Sequence, residues 1–147
     1  MKSKEETAMV QLIVGKKGKG KTKQLLDKVN AAIKSADGNI VYLDKSTKHM
    51  FELNNKIRLI DVSAYPLKNS DEFIGFICGI ISQDHDLQEM YLDSFLKIAS
   101  LEDKDVSDSL KQLKKISNTF NVNFVISLSA DKEEIPEEFQ EDIIIAL

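Results

Sequence analysis

"VQLIVGKKGKGKTKQLLDKVN", residues 10–30, decides how the rest of the chain is read. Its apolar run ends at Gly15, and a helix-periodic run begins near Lys21. Between them, residues 15–22 hold three glycines, four lysines and one threonine. A short Val/Ile/Leu run, then glycines, then a helical stripe predicts strand, tight loop and helix in succession. The octapeptide "GKKGKGKT" satisfies the pattern G-x-x-x-x-G-K-[ST] in full. Gly15, Gly18 and Gly20 let the backbone curl so that successive N–H groups point at an anion. The helix that follows adds its positive N-terminal end. Lys21 is placed to reach β- and γ-phosphates, and the Thr22 hydroxyl to bind Mg²⁺. Lys16, Lys17 and Lys19 raise the local positive potential and complete a candidate phosphate cradle. At average composition these four fixed positions recur by chance in roughly one chain in 200 of this length. Here they also stand between a strand and a helix, so the signal is specific.

The pattern of strand, then helix, continues outward from this stretch. Residues 8–14 read as a buried strand and residues 21–35 as a helix with Leu25, Leu26, Val29, Ala32 and Ile33 on one stripe. Asp37-Gly38 supplies a turn. "NIVYLD" (39–44) and "KIRLIDV" (56–62) read as the second and third strands, the latter closed by Pro66. Asn69 caps a helix with Glu72 three residues on. "LQEMYLD" (87–93) is a fourth strand. Residues 105–120 form a helix that turns Val106, Leu110, Leu113, Ile116 and Phe120 inward, and residues 122–128 and 142–147 are the last two strands. Continuous apolar strands separated by helices predict an α/β three-layer sandwich with a mainly parallel central sheet of five to six strands. Ligands in such folds lie at the carboxyl ends of the strands. The residues at those ends are Gly15 onward, Asp44, Asp61, Asp93 and Ser127.

Composition bounds the rest. The chain has 147 residues, 42% hydrophobic and 30% charged, with net charge -4. One domain over 8–147, preceded by a polar tail over 1–7, is expected. There is no global basic field to recruit nucleic acid. The single cysteine, Cys78, excludes an internal disulfide and a cysteine-built metal site, and suits a reducing cytoplasm. The N-terminal residues lack the apolar core of a signal peptide. "FIGFICGII" (73–81) is far shorter than the roughly 20 residues a membrane span needs. It is apolar all round, with Gly75 and Gly79 four apart. It suits either a helix buried within the monomer or a surface for self-association. His49 and His85 lack partners at metal spacing and read as surface residues. Arg58 is the only arginine.

On "GKKGKGKT" and the alternation of strands and helices, the chain resembles P-loop NTPases over nearly its whole length. The strand spacing is similar to the RecA/AAA-like division, in which one strand intervenes between the P-loop strand and the Mg²⁺-site strand. It is also similar to small stand-alone ATP-binding proteins sometimes labelled twitching-motility ATPase-like. The motor ATPases of that label carry a further N-terminal domain and acidic and histidine boxes that this sequence lacks. The resemblance implies the P-loop NTPase fold, Mg-ATP as ligand, and a carboxylate at the end of an apolar strand that holds Mg²⁺ through water. Asp93 in "EMYLDS" fits that position. The competing role for Asp93 is a helix cap for the segment from Ser94.

Ser94 stands where many relatives have a glutamate that activates water. Asp44, at the end of "VYLD", is the substitute base, and Glu89, at the start of its strand, ranks below it. Ser127 lies where relatives carry a residue that senses the γ-phosphate. An arginine finger adds 10³- to 10⁵-fold in P-loop enzymes, and Arg58 sits early in a strand. The expectation is therefore slow or partner-stimulated hydrolysis of ATP. Two further readings stay open: a non-catalytic ATP-dependent switch, and a transferase resembling ATP:corrinoid adenosyltransferases, whose phosphate loop shares "GKGKT".

Overall fold

The computed structural model describes residues 8–147. The polar tail expected over residues 1–7 lies outside them. The strands are β1 (Val10–Val14), β2 (Asn39–Asp44), β3 (Arg58–Asp61), β4 (Leu87–Leu92), β5 (Asn123–Leu128) and β6 (Ile143–Ala146). The helices are α1 (Lys21–Ala32), α2 (Ser70–Ser82), the short α3 (Phe95–Ile98) and α4 (Ser107–Phe120). All six strands join one sheet in the order β3-β2-β4-β5-β1-β6, and every pairing is parallel. The predicted α/β class with a parallel sheet is therefore observed. β5 intervenes between β1 and β4.

Parallel neighbours need a crossover, and the crossovers put helices on both faces. The alternation of side chains along each strand divides the core accordingly. Ile13, Ile40, Tyr42, Tyr91 and Val125 face α1 and pack on Leu25, Leu26 and Val29. Leu12, Val14, Leu43, Leu92 and Phe124 face the opposite way, toward Phe73 and Ile77 of α2 and Leu110 and Leu113 of α4. Each fully buried side chain of this size contributes about 1.5–3 kcal/mol, so both layers are held mainly by apolar burial.

Local signals explain the boundaries. The Asn69 side chain accepts from the Glu72 amide at 2.9 Å, and the Glu72 carboxylate accepts from the Lys68 amide at 2.6 Å. This is the cap expected for α2. Gly38 approaches a neighbouring turn so closely that an added Cβ would lie 2.1 Å from the Asp86 carbonyl oxygen. The apolar helix is α2. Phe73, Ile74, Ile77 and Ile81 are buried within the monomer, and Phe76, Cys78 and Ile80 pack partly against the same core. Gly75 and Gly79 lie on its exposed side. Among the described residues no helix is long and apolar enough to cross a membrane.

Two details depart from the periodicity. β3 starts at Arg58, because residues 54–57 are held in a turn by the Ile57 amide donating to the Asn54 carbonyl. Phe120, assigned to the inner stripe of α4, is 52% exposed. It is the last helical residue, beside the left-handed Asn121 (φ 58°) that turns the chain into β5.

Candidate functional site

The loop after β1 is built on backbone that side chains resist. Gly18 has φ +85° and Gly20 φ +94°, in the left-handed region where a Cβ costs roughly 1–2 kcal/mol. Gly15 is crowded for a different reason. A Cβ there would lie 3.0 Å from the Leu147 Cβ and 3.2 Å from the Leu147 carbonyl oxygen. The Leu147 amide donates to the Val14 carbonyl at 2.9 Å, so the chain beyond β6 is fastened to the root of the loop. Gly20 is also the N-cap of α1 and offers no side-chain cap. The amides of the first helical turn are thus left to a ligand or to water.

Lys21 is only 8% exposed and donates to the Lys16 carbonyl at 3.1 Å, across the loop. Burial lowers the pKa of its ammonium, while the Asp93 charge acts in the opposite direction. Asp93 follows β4 and is 2% exposed. Three hydroxyls donate to it. Tyr42 reaches Oδ2 at 2.8 Å, Ser127 reaches Oδ1 at 2.8 Å, and Thr22 reaches Oδ1 at 3.3 Å. The Ser127 hydroxyl in turn accepts from the Ser94 amide at 2.9 Å. Ser94 is left-handed (φ 56°) and is the N-cap of α3, with no side-chain cap. The Asp93 carboxylate is thus turned toward Thr22 and Ser127, not spent on capping α3.

Asp44 ends β2 beside Asp93. Leu43 pairs with Leu92, and the Asp93 amide donates to the Leu43 carbonyl at 2.9 Å. The Asp44 side chain is 2% exposed. Its Oδ1 accepts from the Lys45 amide at 2.7 Å, and its Oδ2 is buried without a hydrogen-bond partner. Burial, and then the negative charge of Asp93, raise its pKa above the ordinary aspartate value. An unpartnered buried carboxylate oxygen is costly.

These elements enclose a cleft of about 550 Å³. Lys17, Gly18, Gly20, Lys21 and Thr22 form one wall, and Asp93, Ser94 and Ser127 face them. Lys45, Lys97, Glu102 and Ser129 also reach the cleft, and none of them was singled out in the sequence. Asp44 lies behind the wall, and Lys45 takes its place on the surface. Lys16 is turned away, with its ammonium 2.8 Å from Glu134 and 3.7 Å from Asp131. That pairing, led by the hydrogen bond to Glu134, raises its pKa. Lys19 is exposed and not on the wall.

The remaining candidates lie elsewhere. Glu89 accepts from the Tyr91 hydroxyl at 2.8 Å. Asp61 accepts from the Ser63 amide at 3.0 Å and from its hydroxyl at 2.6 Å. Arg58 lines a separate cleft with Asn39 and Asp84, at the amino ends of β2 and β3. His49 pairs with Glu52 at 3.2 Å. Among the described residues no group of three or more His, Cys, Asp or Glu side chains is placed to hold a metal ion. A metal in this cleft would have to take most of its ligands from a nucleotide and from water.

The contact of Tyr42 with Asp93 went unseen because it joins different strands. The available signal was parity: Tyr42 lies two residues before Asp44, on the same face of β2. No family model matches the chain, and no curated protein matches it.

Proposed function

We propose that the chain is a P-loop NTPase of the RecA/AAA-like kind, which binds Mg-ATP in this cleft and hydrolyses it slowly or only with a partner. One observation carries the reading. Two elements more than 70 residues apart, the glycine-lysine loop and the end of β4, converge so that Thr22 meets Asp93 at 3.3 Å with Lys21 beside them. A solvated lysine-glycine turn would have no need of a buried carboxylate held by three hydroxyls.

The residues fit magnesium of the kind that keeps most of its water. Thr22 would hold it directly and Asp93 through water, and the ion would neutralise charge on the phosphate oxygens. The chain's own groups do the rest. The loop amides and the start of α1 receive the phosphates. Lys21 places a point charge among them, and burial keeps that charge from being screened. Ser127 and Tyr42 orient Asp93.

Two features argue for slow turnover. Ser94 cannot take a proton from water as a carboxylate would. Asp44 holds a proton more readily than an ordinary aspartate, but it lies behind the wall, and water must reach it before it can act. A neighbouring copy crossing α2 at Gly75 and Gly79, where added Cβ atoms would meet nothing within 4 Å, would be one source of a missing base or cation. Because Asp44 is walled off, a second reading stands: a switch in which ATP shifts partner binding without being consumed.

The test is a titration of ATP, ADP and GTP with Mg²⁺, with phosphate release and oligomer mass measured on the same samples. The proposal expects binding that Lys21→Ala weakens about 100-fold, and release far below the 1–10³ s⁻¹ of ordinary enzymes. Release that rises with protein concentration would favour a shared site, and binding without release the switch. Absence of nucleotide binding, or binding indifferent to Lys21→Ala, would refute the common premise.

A further inference from the structure

A second cleft, of about 220 Å³, continues the first along the carboxyl edge of the sheet. The strand order shows how they are joined. From the P-loop the edge runs past Ser127 near the end of β5, Asp93 after β4 and Lys45 after β2, to Val62, Ser63 and Tyr65 after β3. The first cleft covers the stretch up to Lys45, and the second begins there. Lys45 and Lys97 belong to the walls of both. Neither makes an ion pair or a side-chain hydrogen bond among the described residues. Lys16, by contrast, is paired with Glu134 and Asp131.

The rest of the second cleft is mixed, with Ser63 and Ser100 beside four apolar or aromatic residues. Val62, Leu67 and Ile98 form its floor, and Tyr65 stands beside them, 49% exposed. The Tyr65 ring also touches Phe76, 5.0 Å between centroids and tilted by 47°. At about 220 Å³ the cleft has room for one ring with a substituent.

We propose that this cleft binds a small organic anion, an aromatic or similarly flat apolar body bearing a phosphate or carboxylate. The body lies on Tyr65 and Ile98. The anionic group lies between Lys45 and Lys97, at the mouth shared with the first cleft. Two cations that form no ion pair, beside a slot with an apolar side, match such a ligand, and neither a neutral nor a cationic one gains from them. The inference rests on the nucleotide reading in one respect: it makes the molecule a two-ligand protein, with the second ligand adjoining the far end of the P-loop cleft.

The test uses the full chain, labelled for amide NMR, with phenyl phosphate, benzoate and neutral benzyl alcohol as probes. Saturable shifts are expected at the amides of Ser63, Tyr65 and Ser100 with at least one of the two anions. They should persist under saturating Mg-ATP and in Lys21→Ala, and weaken about 10-fold in the surface double variant Lys45→Gln/Lys97→Gln. Which anion binds more tightly distinguishes a phosphate from a carboxylate ligand.

The proposal is overturned by an absence of shifts at those amides, or by shifts confined to Gly18–Thr22 that Mg-ATP displaces. It is equally overturned if benzyl alcohol binds as well as the anions, or if the double variant binds them unchanged. Failure of the nucleotide reading looks different: Mg-ATP itself would leave Gly18–Thr22 unmoved, whatever the organic anions do.

Discussion

The two walls of the cleft are made in opposite ways. The glycine-lysine wall is mostly backbone. Gly18 and Gly20 set its curvature, its lysines are exposed apart from Lys21, and few side chains hold it in place. The β4 wall is mostly side chain. Asp93 is sealed from solvent and held by hydroxyls from α1, β2 and β5. The first wall depends on conformational freedom at a few positions that are adjacent in sequence. The second depends on the whole sheet having formed in register. Substitutions in the first should cost ligand affinity and leave the fold alone, whereas substitutions in the second should cost stability as well.

The largest effect expected is at Asp93. Asp93→Ala strips the acceptor from the buried Tyr42 and Ser127 hydroxyls, and each unsatisfied buried group costs about 1–3 kcal/mol. Chemical denaturation should therefore show a loss of about 3 kcal/mol, and nucleotide binding should lose its Mg²⁺ dependence. A variant as stable as the parent would mean that the hydroxyl cluster is not what holds this wall. Next is Lys21→Ala, expected to weaken nucleotide binding about 100-fold by calorimetry, equivalent to about 2.7 kcal/mol. Its thermal unfolding should stay close to that of the parent. A large drop in Tm would erase the contrast between the walls.

Asp44→Asn sharpens the comparison through pH. The folded state raises the Asp44 pKa, so the protonated form is favoured on folding. Its contribution to stability is fully present below the ordinary aspartate value near 4 and is lost as pH rises through the raised folded value. At pH 7 the carboxylate is therefore a cost, and Asp44→Asn should stabilise the protein. The gain should shrink to nothing as the pH falls below about 4. A pH-independent difference would assign the effect to packing. The smallest effect expected is at Lys16, whose ion pairs with Glu134 and Asp131 are exposed. Lys16→Ala should shift Tm by no more than about 2 °C and leave nucleotide affinity unchanged within about twofold.

Legibility in the sequence follows the same division. β2 and β5 could be read almost to the residue, because continuous Val/Ile/Leu runs bounded by Gly38 and Asn121 leave little choice. The loop could be read because its geometry requires glycines that are close in sequence. The cluster around Asp93 could be read only at its corners. Asp93 and Ser127 stand at strand ends, but the hydroxyl of Tyr42 arrives from another strand, and no local pattern announces it. Lys97 lies on α3, four residues long and too short to show a period. Lys16 was read with the loop. Its partner Glu134 is 118 positions away, and only the closed sheet brings the two together.

The position of β1 in the sheet also has a consequence in time. Its neighbours are β5 and β6, so Val10–Val14 finds no partner until residues 123–146 exist. The β2, β3 and β4 strands pair among themselves through a stretch of chain half as long. At about 5–20 residues per second of synthesis, the strand that leads into the loop waits roughly 5–20 s for its ladder. The nearer strands can already be in place. In a growing chain the scaffold of Asp44 and Asp93 is thus built first, and the glycine-lysine loop is docked onto it last.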